Sequence, residues 1–462
     1  MTHKSVHEWG RVPVGEGGFT RAEANRLLAA ARAHPCVGVE GTAILVDYHT
    51  HLTARQVVGV LAARGCSLEI LPKVDPASAD EDDVTVRRRL IGMLDVALGL
   101  DLSSGGTAQL ARQGETLLDI LIRLFADRLL DEVRRGLPRR YQMREDDLPA
   151  LRGQMDVVRQ FTRHAVRPDW LACRFDTLEA DTPLLRIMKA AVVFLGKHAR
   201  AVETRRRLTE LRHLLDDVRD ISPASLPWDR VQLDRSNRRW RSLHDLARLF
   251  LMRDWQATHH RDRAGEGITL LFPMNDLFET YIAALLRRAL AGSDLEMTAQ
   301  GGLQYCLGDW PKEEQEPVAP HLFQTRPDIV LRRAGRIVAI VDTKWKALAE
   351  PFTGKGGVSQ ADVYQLMAYA KVYGCRDLML LYPGAPDGIG GGLSGERASY
   401  HMAGGGERLR IAQIDVAQDR DAVVADLRDL FGEKKRLVAA ATGYRTTGPT
   451  SARLATGSLE IG

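Results

Sequence analysis

Asp328 and Asp342 stand fourteen positions apart, and Lys344 follows the second by two. They lie in Thr325-Arg-Pro-Asp-Ile-Val-Leu-Arg-Arg-Ala-Gly-Arg-Ile-Val-Ala-Ile-Val-Asp-Thr-Lys-Trp345, which reads as two strands around a tight turn at Ala334-Gly335. With a three-residue loop (Ala334, Gly335, Arg336), Arg333 pairs with Ile337, and Asp328 falls opposite Asp342. Strand side chains alternate, so Asp342 and Lys344 share one face. Two carboxylates facing each other across a sheet repel. A divalent cation reverses that sign. Two carboxylates, a backbone carbonyl and waters make an oxygen site suited to Mg²⁺. A lysine beside it can orient or deprotonate a water and offset phosphate charge, which is chemistry for phosphodiester hydrolysis.

Single pieces of this pattern are weak. Glu433-Lys-Lys435 also fits acid-x-Lys, and Arg167-Pro168-Asp169 also contains Pro-Asp. The former reads as a solvated helix face, and no strand with Asp-x-Lys follows the latter. The combination differs because Asp342 and Lys344 close an apolar run, Ile337-Val-Ala-Ile-Val341. The plain alternative is a salt-bridged surface hairpin. Burying such charges without a use is costly, which argues against it.

The elements that must position these residues follow from periodicity. Leu277, Phe278, Tyr281, Ile282 and Leu285 predict a helix over about Asn275 to Leu290. Another is expected from Ser359 to Tyr373, a strand over Asp377–Tyr382, a Gly-rich loop over Gly388–Gly406, a strand over Leu409–Asp415 and a helix over Asp421–Phe431. Upstream, Leu117 to Leu129 predicts a helix stopped by Gly136 and Pro138, and Asp181-Thr-Pro183 opens another. Arg205 to Trp255 reads as an Arg-rich helical stretch. Thr42–Tyr48 and Ser67–Leu71 read as strands, Thr53–Ala63 as a short helix, and Ala77–Asp83 as an acidic loop. The expected fold class is multidomain α+β / α/β. Residues 1–110 form a mixed β domain, 111–264 a helical middle region, 265–435 an α/β/α core, and 436–462 a disordered tail.

Composition excludes several classes. The chain is 45% hydrophobic and 27% charged, ordinary for a globular protein. The net charge of +4 neither demands nor excludes nucleic acid. Five widely spaced cysteines, without a CxxC pair, read as reduced thiols. The N-terminus lacks an apolar signal core, and no run spans a membrane, so a cytoplasmic location is expected. His49-x-His51 lacks a third ligand, His259-His260 reads as a helix-end or linker pair, and Cys306 has no base beside it.

Taken together, Pro327-Asp328 and Asp342-Thr-Lys344 resemble the PD-(D/E)xK nuclease core. The wider context resembles the McrC family, the nuclease subunit of McrBC-type 5-methylcytosine restriction systems. Phe272-Pro-Met-Asn-Asp-Leu-Phe-Glu-Thr-Tyr281 resembles that family's helix before the core, and Asp362-Val-Tyr-Gln-Leu-Met-Ala-Tyr369 the helix after it. Ile70-Leu-Pro-Lys73, Leu151-Arg-Gly153 and Asp181-Thr-Pro-Leu184 resemble its earlier regions, so the likeness spans about residues 35–415.

The resemblance implies a metal-dependent DNA endonuclease. Asp328, Asp342 and the Thr343 carbonyl would hold Mg²⁺, or Mn²⁺ in its place. Lys344 would serve the water and the scissile phosphate. Glu279 would act near the metal or orient Lys344. Gln365 and Tyr369, four apart on one helix face, would line the site or contact DNA. Packing is the favoured role for Tyr364 and Tyr369. Arg326 and Lys346 are further candidate DNA contacts. So are Arg238 and Arg239, within a stretch holding five arginines between 230 and 241.

The implied partners are an AAA+ GTPase of McrB type, forming a hexameric ring, and double-stranded, methylated DNA. The N-terminal part would dock in the ring's pore. GTP enters only through that partner: this chain has no G-x-x-x-x-G-K-[ST], and Gly354-Lys-Gly356 lacks the hydroxyl residue. The alternatives are a nuclease of another defence or repair system with a different motor, or a catalytically silent scaffold that stimulates the motor.

Overall fold

The structure is a computed structural model that describes residues 2–32, 34, 44–73, 82–99, 115–166, 169–235, 237–251, 268–309, 319–346, 348, 358–384 and 394–432. Cys36, His259, His260, Gly354–Gly356, most of the acidic loop and the tail lie outside the described residues.

The chain opens with β1 (Thr2–His7), β2 (Arg11–Pro13), α1 (Arg21–Arg32), β3 (Leu45–Asp47), β4 (His51–Ala54), β5 (Val57–Ala63) and β6 (Cys66–Leu71). The helix expected over Thr53–Ala63 is instead the end of β4 and all of β5. Every residue of β5 is buried: Val58 and Val60 face the main core, while Val57, Leu61 and Ala63 face α1. A strand covered on both faces is apolar at every position, which erases its alternation. β6 pairs antiparallel with β5 and parallel with β1.

Next come α2 (Asp83–Leu98), α3 (Leu117–Arg134), β7 (Arg140–Leu148), β8 (Gln154–Met155), α4 (Val157–Arg163), β9 (Leu171–Glu179), α5 (Pro183–Gly196), α6 (Val202–Leu214) and α7 (Arg241–Leu251). Thr116 caps α3 and Thr182 caps α5, each hydroxyl accepting from the amide three residues on. The middle region also contains a three-stranded antiparallel sheet, in order β7-β9-β8, which the sequence reading did not expect. Ion pairs such as Arg144–Glu179 and Arg174–Glu145 lace its exposed strands. The Arg-rich stretch is broken by short 3₁₀ turns at Trp228–Arg230 and Arg238–Trp240, with Trp240 fully buried.

β10 (Leu270–Pro273) then returns to the first sheet, antiparallel to β5. Gly59 makes that approach possible: its φ is +124°, and a Cβ there would lie 1.9 Å from the Leu270 carbonyl oxygen. Then follow α8 (Met274–Ala289), β11 (Leu295–Ala299), β12 (Gln304–Leu307), β13 (Leu322–Thr325), β14 (Ile329–Arg333), β15 (Arg336–Thr343), α9 (Gln360–Tyr373), β16 (Asp377–Pro383), β17 (Gly395–His401), β18 (Arg408–Ile414) and α10 (Arg420–Phe431). Strand β17 falls within the segment expected to be a Gly-rich loop.

Six of these strands form one mixed sheet in the order β11-β14-β15-β16-β18-β17. One face, with Val330, Ile340, Leu378 and Leu380, packs on Leu366, Tyr369 and Tyr373 of α9. The other, with Ile329, Val341, Met379 and Leu381, belongs to the same core as Phe278 and Ile282 of α8 and Val423 and Leu427 of α10. Helices thus cover both faces, as parallel strands require. Among the described residues, no helix is long and apolar enough to cross a membrane.

Candidate active site

The site sits where β14 and β15 meet the N-terminal half of α9. The turn between the strands has two residues, not three: Arg333 pairs with Arg336, and Ala334 and Gly335 both have positive φ, 48° and 77°. Two positive φ values in a two-residue loop match the twist of a hairpin. Taken alone, the shorter loop would shift every later pair by one. A bulge at Val338 restores the register: Arg332 pairs with Ile337, Leu331 with Ala339, and Ile329 with Val341. The ladder ends at that pair, with Asp328 one residue before β14 and Asp342 one residue further along β15, so the two aspartates lie at neighbouring strand ends rather than as a cross-strand pair.

Alternation along β15 then sorts the side chains. Asp342 and Lys344 continue the Ile340 face toward α9, while Thr343 and Trp345 continue the Val341 face toward α8. Asp342 is fully buried, and its Oδ1 accepts a hydrogen bond from Gln365 Nε2 at 3.2 Å. Its Oδ2 lies 2.6 Å from Lys344 Nζ as an ion pair, outside hydrogen-bond geometry. Lys344 Nζ donates to Gln365 Oε1 at 3.2 Å, so one carboxamide holds both groups. Gln365 Nε2 also donates to Tyr369 Oη at 2.7 Å, and that hydroxyl donates to the Arg326 carbonyl at 3.3 Å. Asp328 Oδ2 accepts from the Thr343 amide at 2.7 Å and from its hydroxyl at 2.8 Å.

Burial pushes the carboxyls of Asp328 and Asp342 up, and Asp328 raises Asp342 further against the opposing pull of Lys344. Glu279 is pushed up to about 7, first by burial and then by Asp328, with a Gln300 hydrogen bond opposing. For Lys344, burial favours the neutral amine, but Asp342 and Asp328 outweigh it and hold the ammonium charged. In this state Lys344 is a hydrogen-bond donor and positive charge, not a ready base.

The donor set fits a hard divalent cation. Among the described residues, Asp342 Oδ2 has only the Lys344 ammonium as a partner, and burial raises both aspartates, a cost that a cation between them would offset. Lys344 N donates to Leu381 O on the β16 side, whereas Thr343 N points to Asp328. The N–H and C=O of one strand residue point to the same side, so the Thr343 carbonyl also faces the Asp328 side. Among the described residues, no three His, Cys, Asp or Glu side chains are grouped to hold a metal. The candidate ligands are therefore two carboxylates and a carbonyl, and Glu279 stays outside that set.

The other expected residues divide. Tyr369 is buried at 4% exposure and braces Gln365, so it offers no face to DNA, whereas Tyr364, expected to pack in the core, is 59% exposed. Arg326 is exposed and donates to Gln300 Oε1. Lys346 pairs with Asp362. Arg239 is engaged by Glu132 at 2.8 Å and by the Gly136 carbonyl at 2.9 Å, away from the Asp342 network. Arg238 is exposed and belongs to no part of that network. The sequence reading missed the Thr343 hydroxyl, Asn275 and Gln300. Thr343 was visible between two named residues, but only the fold brings Asn275 and Gln300 to the site.

A mixed, helix-covered sheet thus presents two carboxylates and a lysine at adjoining strand ends, a candidate metal centre. Residues 52–383 match the model of the family described as McrBC 5-methylcytosine restriction system component, and the chain belongs to that family. Among solved structures, it is similar to a half-complex of the tetradecameric assembly of Thermococcus gammatolerans McrB AAA+ hexamers with bound McrC. There the TM-score is 0.72 at 20% identity, over 94% of this chain and 100% of that one. A second likeness is to the Thermococcus gammatolerans McrBC complex, with a TM-score of 0.53 at 25% identity, over 63% of this chain and 88% of that one. No curated protein matches the chain.

Proposed function

We propose that this chain is the McrC-type endonuclease subunit of a modification-dependent restriction complex. It hydrolyses phosphodiester bonds of methylated double-stranded DNA with Mg²⁺ when assembled with an AAA+ GTPase of McrB type. The observation that carries the reading is the Asp342–Lys344 ion pair at the end of a buried strand, with Asp328 at the neighbouring strand end bonded by Thr343, which supports a PD-(D/E)xK reading. The family match supports the restriction context, and the absent phosphate-loop motif supports a non-motor role.

Asp328, Asp342 and the Thr343 carbonyl would hold Mg²⁺, which when bound polarises the phosphodiester and stabilises developing charge. Thr343 fixes the Asp328 carboxylate through two hydrogen bonds. Gln365 fixes Asp342 and Lys344 relative to each other. The Lys344 ammonium binds a phosphate oxygen and orients the attacking water. Glu279, with its raised pKa, can hold a proton near neutral pH beside the carboxylate pair. Arg326, exposed next to the site, would contact the DNA backbone.

The test is cleavage of methylated DNA by the chain with its AAA+ partner, GTP and Mg²⁺. The reading expects cleavage that disappears in Lys344→Ala while ring assembly persists. Wild-type cutting by Lys344→Ala would refute it.

A further inference from the structure

We propose that Glu8 is a positioning residue for the candidate active site, holding Trp345 so that the N-terminal sheet fixes the strand end carrying Asp342 and Lys344. The inference rests on the reading that those two residues do the chemistry.

Glu8 follows β1 directly and is 1% exposed. Its amide donates to the Leu71 carbonyl at 2.9 Å, anchoring it to the end of β6. Its Oε2 accepts from Trp345 Nε1 at 2.9 Å and from the Lys73 amide at 3.2 Å. The contact joins positions 337 residues apart. Trp345 is held from a second direction as well: its amide donates to Asn275 Oδ1 at 3.1 Å, and its ring lies 5.4 Å from that of Phe278. Three stretches singled out in the sequence are thus linked through Glu8 and Trp345: Ile70–Lys73 by way of Glu8, the start of α8, and Asp342–Trp345.

The geometry explains why this matters to Lys344. β15 ends at Thr343; the Lys344 amide still donates to the Leu381 carbonyl of β16 at 2.9 Å, and Trp345 is the first residue held instead by Asn275 and Glu8. Lys344 reaches one face and Trp345 the other. Pinning the indole fixes the backbone from which the Lys344 side chain departs. A carboxyl placed here is costly: Glu8 Oε1 is buried without a hydrogen-bond partner. Hydrophobic packing alone would not need it. Burial pushes the group up to about 8, against the hydrogen bonds from Trp345 and Lys73, so at neutral pH it is a neutral acid. Glutamine is then its closest substitute, because an amide oxygen can accept the same two bonds.

The experiment compares Glu8→Gln, Glu8→Ala and Trp345→Phe in the full chain assembled with its AAA+ partner. Amide hydrogen exchange at 343–346 is read beside single-turnover cleavage. The tether predicts faster exchange there in Glu8→Ala and Trp345→Phe. It also predicts a cleavage rate about 10-fold lower at unchanged KM for DNA, since small misplacements cost about that much or more. Glu8→Gln should restore both. Trp345→Phe keeps an aromatic side chain but loses ring volume as well as the N–H donor, so if Glu8→Ala fails to fold, Glu8→Leu, which removes only the acceptor at similar size, is read beside it. Unchanged exchange in Trp345→Phe, or lost DNA affinity with an unchanged rate, overturns the proposal. A wild-type chain that never cuts, yet shows the exchange pattern, would overturn the nuclease reading and leave the tether standing.

Discussion

Asp328 Oδ2 accepts two hydrogen bonds from the same residue, the amide of Thr343 at 2.7 Å and its hydroxyl at 2.8 Å. One candidate ligand is thereby aimed by the residue whose carbonyl is another. Thr343→Val removes the hydroxyl and keeps the shape, giving up a hydrogen bond to a charged group worth about 1.5–3 kcal/mol. Cleavage should fall about 10-fold if roughly half of that is lost from the transition state. Thr343→Ser should cut at nearly the wild-type rate. Plasmid nicking rates under single-turnover conditions decide it.

Gln365 joins Asp342 to Lys344 through the two ends of one carboxamide. Gln365→Leu would leave both groups unsupported in a buried site. Expected is a drop in kcat of about 10- to 100-fold with little change in KM for DNA, the signature of lost positioning. A rise in KM alone would assign Gln365 to DNA binding instead.

Glu279 and Glu8 are raised from 4.5 to about 7 and about 8. Between the unfolded and folded values, the folded chain binds more protons. Their contribution to stability is full below about pH 4.5 and is lost as pH rises through 7 to 8. In metal-free buffer, Tm should decline from pH 5.5 to 8.5, and Glu8→Gln should flatten that decline, because Gln does not titrate. Metal binding runs the other way. The raised carboxyls of Asp328 and Asp342 must lose protons to bind a cation. Mg²⁺ or Mn²⁺ affinity should therefore increase with pH and release protons, which titration calorimetry in buffers of different ionisation enthalpy would register.

Ala334 sits at φ 48°, a conformation costly for a residue with a Cβ, ahead of Gly335. Ala334→Asn creates the Asn-Gly pair preferred in such turns and should stabilise the protein by about 1 kcal/mol. Denaturant melts would show a higher midpoint with unchanged slope. Cleavage should not change, because the bulge at Val338 keeps the Ile329–Val341 register next to Asp328 and Asp342.

The candidate site residues were legible because they lie at the ends of adjacent strands, where spacing and alternation carry over into space. Asp342 and Lys344 needed only a strand to be brought together, and Asp328 only the hairpin before it. The Val338 bulge left no trace in the sequence, and the two-residue turn compensates for it. Strand β5 was misread because two-sided burial made it apolar throughout. Strands β7 and β9 were missed for the opposite reason: Arg144-Glu-Asp-Asp147 is charged, and its pairing rests on ion pairs such as Arg174–Glu145. Glu8 could not be found at all, since only the fold brings it to Trp345.

The most direct test of the site is Asp342→Asn, which keeps the shape of a fully buried side chain and removes its charge. In cleavage of methylated DNA with the AAA+ partner, GTP and Mg²⁺, we predict no detectable product from the variant, with ring assembly and stimulated GTP hydrolysis unchanged. Cleavage at the wild-type rate would contradict the assignment of Asp328, Asp342 and Lys344 as the nuclease centre.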